Sequence, residues 1–231
     1  MNDHQKLLSD EVTVGSLEDA ARAATGTAVI IDVFRAFTTG AVALANGAER
    51  IVMVGGLDQA KDLRAKGVGS ICMGERGGDR PEGFDFGNSP VEITDVDFSG
   101  QTLIQTTSNG TRGVLAASGA QRVYAGAFAS AQATVRAILA NPILPISLVA
   151  MGDAGGLRRD EDEICALYLR ALLLGLTPDK DAVARAVRTM AELSDTRRMS
   201  AADADACVVF DRVDFAIPVA LRGDHAIATA L

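Results

Sequence analysis

The run Thr27-Ala28-Val29-Ile30-Ile31-Asp32 limits the fold more than any other stretch of this chain. It is short, rich in β-branched residues and apolar at successive positions, with no alternation toward water. Such a run reads as a strand buried on both faces, as in parallel sheets. It closes on an aspartate. Phe34-Arg35-Ala36-Phe37-Thr38-Thr39 then leads into a small-residue helix from Gly40, which Gly47 stops.

The alternation continues along the chain. Apolar runs predict further strands at Glu11–Val14, Arg50–Val54, Ser70–Met73, Thr102–Thr106, Arg122–Gly126, Ile146–Met151 and Asp214–Leu221. Helical spacing and caps predict helices at Ser16–Ala24, Asp58–Lys66, Arg112–Ser118, Ser130–Leu139, Asp160–Leu174, Asp181–Leu193 and Ala201–Phe210. Strands alternating with helices predict an α/β fold: a largely parallel or mixed central sheet with flanking helices. No repeat, low-complexity tract or linker interrupts the chain, so residues 1–231 are expected to form a single compact unit.

Composition narrows the function. With 48% hydrophobic and 23% charged residues the chain is globular rather than disordered. A net charge of -8 and the lack of a Lys/Arg stripe argue against nucleic acid as partner. No run has the length of a transmembrane helix and no N-terminal stretch has the pattern of a signal peptide, so a cytoplasmic protein without membrane partners is expected. Cys72, Cys165 and Cys207 lie far apart and form no CxxC, as expected of buried thiols in a reducing compartment. Only two histidines occur, His4 and His225, and His225 falls in a polar turn. A His-rich metal site or histidine catalysis is therefore disfavoured.

In open α/β sheets ligands bind beyond the carboxyl ends of the strands. Four segments lie there if the sheet is parallel: Asp32 to Arg35, Gly74 to Pro90, Thr106 to Arg112, and Gly152 to Gly156. The second is glycine-rich and carries two arginines and four acids, too many glycines and charges for a helix or strand. In the third, a helix start with hydroxyls and Arg112 suits an oxyanion; the alternative is an Asn-Gly turn with Thr111 as helix cap. Asp32 and Asp153, with Glu75 or Asp85, offer hard oxygen ligands for Mg²⁺; the alternative for Asp32 is a helix cap or a pairing with Arg35. Arg35, Arg76, Arg80 and Arg112 concentrate positive charge in an acidic protein, as a multiply charged anion requires. Glu161-Asp162-Glu163 reads more simply as acids at a helix N-terminus, and Arg158 and Arg159 more simply as surface residues than as additions to that positive cluster. There is no P-loop, no G-x-S-x-G elbow and no dinucleotide fingerprint. If phosphate is cleaved, a metal-activated water is the simplest remaining route.

These pieces resemble the 2-phosphosulfolactate phosphatase (ComB) family. The resemblance rests on Ile31-Asp-Val-Phe-Arg-Ala-Phe-Thr-Thr39, Ala43-Leu-Ala-Asn-Gly-Ala48, Gly74-Glu-Arg-Gly-Gly78, Gly83-Phe-Asp-Phe-Gly-Asn-Ser-Pro90 and Thr106-Thr-Ser-Asn-Gly-Thr-Arg112, in that order. It extends from about residue 28 to about residue 220, with weaker echoes at Gly126-Ala-Phe128 and Asp214-Phe-Ala-Ile-Pro218. It implies a ComB-like α/β fold and a Mg²⁺-dependent phosphatase. The implied reaction is hydrolysis of 2-phosphosulfolactate to sulfolactate and phosphate, a step toward coenzyme M. Phe34 and Ala36-Phe37 depart from the family pattern beside Asp32, which bears on the substrate more than on the chemistry.

Taken with the resemblance, the residues predict a phosphomonoesterase for a small anionic phosphorylated acid, compatible with a homodimer. Asp32, Arg35, Glu75 and Arg76 are the expected catalytic set, and Asp32, Glu75 and Asp153 the expected metal ligands. Arg35, Arg76 and Arg112 would hold the phosphate, together with Thr107, Asn109, Gly110 and Thr111. Asn88 and Ser89 would shape the pocket. Two other readings use the same loops: a metal-free binding protein or sensor for a phosphorylated or sulfonated acid, and a cofactor-dependent enzyme built on Gly152 to Gly156.

Overall fold

The computed structural model describes residues 9–153, 155–193 and 199–231; His4 and Ala154 lie outside the described residues. In chain order the elements are β1 (Val12–Ser16), α1 (Leu17–Ala23), β2 (Thr27–Ile31), α2 (Ala36–Ala45), β3 (Arg50–Val54) and α3 (Leu57–Ala65). There follow β4 (Ile71–Gly74), β5 (Thr102–Thr106), α4 (Gly110–Ala116), β6 (Arg122–Gly126), α5 (Ala131–Ala140) and β7 (Ile146–Ala150). The chain continues with α6 (Asp160–Leu173), α7 (Lys180–Leu193), α8 (Ala201–Cys207), β8 (Pro218–Arg222) and β9 (His225–Ala228). Among the described residues all strands join one nine-stranded sheet in the order β1-β7-β2-β6-β8-β9-β3-β5-β4.

β2 sits inside this sheet, parallel to β6 and β7, and all five of its residues are buried. Alternate side chains serve opposite faces of the pleat. Ala28 and Ile30 pack with α1, α2 and α4, whereas Val29 and Ile31 pack with α5 and α6. The unbroken apolar run thus follows from a sheet covered on both sides. The three cysteines are buried and free.

The sheet is mixed. Steps β6–β8, β8–β9 and β9–β3 are each antiparallel, so the parallel block β3-β5-β4 runs opposite to the parallel block β1-β7-β2-β6. Strand direction alone would send the loops after β4 and β5 to the edge away from those after β2 and β7. Adjacent strands twist by about 20–25°, so the five steps from β2 to β5 turn the second block by more than a right angle. The loops meet all the same, with α2 packed between the blocks. All of α2 but Ala45 is buried, and its small residues allow close approach: a Cβ on Gly40 would stand 3.5 Å from Ile51 Cδ1 on β3.

Several boundaries differ from those read in the sequence: α4 runs over Gly110–Ala116 rather than Arg112–Ser118, and α8 ends at Cys207 rather than Phe210. α2 begins at Ala36 rather than Gly40, because Asp32 accepts bonds from the amides of Ala36 and Phe37 and starts the helix early. The expected strand over Asp214–Leu221 begins only at Pro218. It turns at Gly223 (φ 68°) into β9, which pairs with β3 and places His225 on a strand.

Candidate functional site

Asp32 follows β2 directly and is 6% exposed. Its Oδ1 accepts the Ala36 amide at 3.1 Å. α4 starts against the same carboxylate: a Cβ on Gly110 would lie 2.8 Å from Oδ2 and 3.1 Å from the Phe37 ring. Only glycine lets that helix approach so closely. Burial pushes the Asp32 carboxyl up to about 7, opposed by the Ala36 bond and reinforced by the negative charges of Glu75 and Glu161.

The glycine-rich loop after β4 is held by its own acid. Glu75 Oε1 accepts the Ser108 amide at 2.6 Å, while Oε2 accepts the Gly78 amide at 2.8 Å and the Ser108 hydroxyl at 3.2 Å. Glu75 therefore fastens the β4 loop to the β5 loop. Arg76 turns away and ties Gly55 O, Thr106 Oγ1 and Glu75 O together beneath them. Arg35 faces the loop instead, donating to Gly78 O at 3.3 Å and to Asp203 at 3.1 Å. Asn88, further along the loop, is 5% exposed, and its Oδ1 has no hydrogen-bond partner among the described residues. An unpaired buried amide oxygen costs about 1–3 kcal/mol, which a ligand group or ordered water would recover.

The third wall follows β7. Partial burial raises the Asp153 carboxyl, but bonds from the Leu157 amide, Arg159 and the Gly155 amide outweigh it and hold it below the usual range. Asp162, in the first turn of α6, is buried and accepts the Val33 amide at 2.8 Å and the Gly152 amide at 2.9 Å. It clips the loop after β2 to the loop after β7. Burial, with the charges of Glu161 and Asp32, pushes the Asp162 carboxyl well above the usual range.

The walls enclose a cavity of about 290 Å³. Of the residues singled out from the sequence, Asp32, Arg35, Glu75, Asn88, Asn109 and Asp153 line it. The others do not. Arg76 is structural, and Ser89 bonds Asp203. Thr107 and Thr111 bond each other behind the wall, and Gly110 packs on Asp32. Arg112 is 55% exposed and pairs with Glu18 on the surface, and Arg80 pairs with Glu92. Of the four arginines expected to gather around an anion, Arg35 alone reaches the cavity. Asp85 accepts the Cys72 amide and pairs with Arg64, so it is no ligand candidate.

Four lining residues escaped the sequence reading or were read otherwise: Ser108, Arg159, Glu161 and Met199. The first-turn acids of α6 divide. Glu163 pairs with Arg158 at 2.7 Å as surface residues do, whereas Glu161 and Asp162 are buried. The signal was present in the spacing. Glu161 and Asp162 precede the buried Cys165 and Ala166 by four residues and share their helix face. Phe34 lines the cavity; Phe37 belongs to the core.

Among the described residues no three His, Cys, Asp or Glu side chains are grouped closely enough to form a ready-made cation site. The donor chemistry nonetheless fits Mg²⁺, which takes one or two carboxylates and completes its shell with water and substrate oxygens. Asp32 is buried among like charges that a cation would neutralise, with Glu75 and Glu161 as neighbouring donors. Asp153 is committed to its own loop.

Asp32 also sets a direction for stability. Its folded value lies above its unfolded value of 3.8, so the fold favours the protonated form, and stability falls as pH rises from about 4 through about 7. Asp162 acts in the same sense. Metal-free protein is expected to melt on the order of 5–10 °C lower at pH 8 than at pH 5.5. Scanning calorimetry in EDTA checks this; equal melting temperatures would show that Asp32 is solvated.

A family model described as 2-phosphosulpholactate phosphatase matches residues 13–208. A "Probable 2-phosphosulfolactate phosphatase" of Prochlorococcus marinus (strain MIT 9313) is 40% identical over 159 residues, 68% of this chain and 65% of the relative. One from Caldicellulosiruptor saccharolyticus is 35% identical over 180 residues, 76% of this chain and 70% of the relative. One from Clostridium acetobutylicum is 38% identical over 146 residues, 62% of this chain and 60% of the relative. The chain thus spans somewhat less than two thirds of the Prochlorococcus relative's length.

Proposed function

Because the chain belongs to the 2-phosphosulpholactate phosphatase family, we propose that it is a Mg²⁺-dependent phosphomonoesterase. Its substrate is 2-phosphosulfolactate or a related phosphorylated hydroxy acid, and residues 1–231 act as one unit. The observation that carries this reading is the convergence, in one cavity, of the buried Asp32 with the guanidinium groups of Arg35 and Arg159. The relatives' names supply the substrate.

The roles follow from position. Arg35 keeps N–H donors beyond the two spent on Gly78 and Asp203, and these bind phosphoryl oxygens and the charge that develops as the ester breaks. Arg159 faces the cavity from the α6 side and takes a second acidic group of the substrate. Asn88 and Ser108 orient the oxygens between them. Asp32, with Glu75 or Glu161, would hold Mg²⁺, and its carboxylate at the strand end would position the attacking water. When bound, Mg²⁺ supplies a Lewis acid for the phosphoryl oxygens.

The test is phosphate release from phosphosulfolactate and from a panel of phosphorylated hydroxy acids, with Mg²⁺ and with EDTA. Turnover is expected with Mg²⁺ and a loss of at least ~10²-fold with EDTA. Equal, negligible release in both overturns the reading. A metal-free binding protein is the second reading, favoured by the internal bonds that occupy Glu75 and Asp153. Ligand binding indifferent to EDTA and without turnover would establish it.

A further inference from the structure

Asp203 lies on α8, far in sequence from every loop named so far, yet its side chain is only 6% exposed. Its Oδ2 accepts Arg35 Nη1 at 3.1 Å. Its Oδ1 accepts the Ser89 hydroxyl at 2.6 Å and, more weakly, the Val91 amide at 3.4 Å. One buried carboxylate therefore grips the arginine that follows β2 and the residue next to Asn88, a buried amide that lines the cavity. A buried carboxylate bonded this way has little freedom, and neither do the groups it holds.

We propose that Asp203 is the positioning residue of the site: through Arg35 and Ser89 it fixes the guanidinium and the Asn88 amide N–H group as one oxyanion-binding pair. The inference rests on the phosphatase reading for its ligand class but not for its geometry. Arg35 alone is a long, flexible cation. Anchored at one side by Asp203 and at the other by Gly78 O, it presents its remaining donors to the cavity without first being ordered. Ser200 belongs to the same helix but not to this device. Its hydroxyl caps α8 by accepting the Asp203 amide at 3.0 Å and leaves the carboxylate untouched.

The experiment compares wild type, Asp203→Asn, Asp203→Glu, Ser200→Ala, Arg35→Ala and the Arg35→Ala/Asp203→Asn double variant. The readouts are inorganic phosphate affinity by titration calorimetry, KM and kcat for phosphosulfolactate, and Tm. Asp203→Asn turns an amide N–H toward Arg35 or Ser89 and is expected to weaken phosphate affinity and raise KM by ~10–100-fold. Asp203→Glu keeps the charge but displaces it, and a several-fold loss is expected; this variant carries the test if the asparagine variant does not fold. Ser200→Ala is expected to lower Tm with affinity and KM within about twofold of wild type. In the Arg35→Ala background Asp203→Asn is expected to add little, since the two act as one unit. Wild-type phosphate affinity in both Asp203 variants, a Ser200→Ala loss as large as that of Asp203→Asn, or additive effects in the double variant overturns the proposal, as does absence of phosphate binding by wild type. If wild type binds phosphate but hydrolyses no ester, the phosphatase reading fails and phosphate affinity alone still decides the role of Asp203.

Discussion

An Asp32→Asn protein is expected to lose about 10³-fold in kcat/KM for phosphosulfolactate and, at pH 8 without metal, to melt a few degrees higher than wild type. The first effect follows from the place of the carboxylate at the end of β2 inside the cavity, where it is the acid that most needs a cation. Removing one preorganised electrostatic partner typically costs 10²–10³-fold, and losing cation binding adds to that. The second effect follows from the cost of keeping the group charged. Its value is raised to about 7, so at pH 8 the fold holds an ionised group that it disfavours, and a neutral amide removes that penalty. Activity falling while stability rises is the signature of a site strained for function. A structural helix cap behaves otherwise: asparagine would leave activity intact or lower Tm. Assay with saturating Mg²⁺ and calorimetry in EDTA separate the outcomes, and retention of more than about a tenth of wild-type kcat/KM removes Asp32 from the chemistry.

Replacing Gly74 by alanine is expected to cost on the order of 3–5 kcal/mol and to lower Tm by roughly 10 °C or more. Gly74 ends β4 with φ at 148°, a region that L side chains rarely enter. A Cβ there would sit 1.9 Å from Thr106 O. That oxygen belongs to the neighbouring strand and accepts the Glu75 amide at 3.2 Å, so it cannot retreat without opening the sheet at the site. Gly67→Ala is the matched control. Gly67 also has positive φ, 75°, but its added Cβ meets nothing within 4 Å, and a loss of only ~1–2 kcal/mol is expected. Urea midpoints of the two variants should therefore differ widely. Equal midpoints would mean that backbone conformation, not the Thr106 contact, makes Gly74 necessary.

Much of this was legible along the chain. Strand and helix periodicity, the glycine stops and the doubly buried β2 run are local properties, set within a few residues by backbone geometry and the spacing of apolar side chains. They were enough to predict an α/β fold and to single out the strand-end loops, with Asp32 and Arg35 within them. The arginines were harder. Arg35, Arg76, Arg80 and Arg112 look equivalent as letters, each in a glycine-bearing or strand-end segment. Which of them faces the cavity depends on carbonyls and acids that folding brings near, such as Gly55 O for Arg76 and Glu18 for Arg112.

The sequence by itself therefore determined the kinds of element, their order, the acid at the end of β2 and the family likeness carried by long motifs. Only the tertiary structure decided that the sheet is mixed, that its two opposed blocks still bring their loops together around α2, and which side chains share the cavity. The reason is range. Asp162 meets Val33 across 129 positions and Asp203 meets Arg35 across 168. No local period encodes such pairings, and only close packing of the whole chain selects among the partners that charge alone would allow.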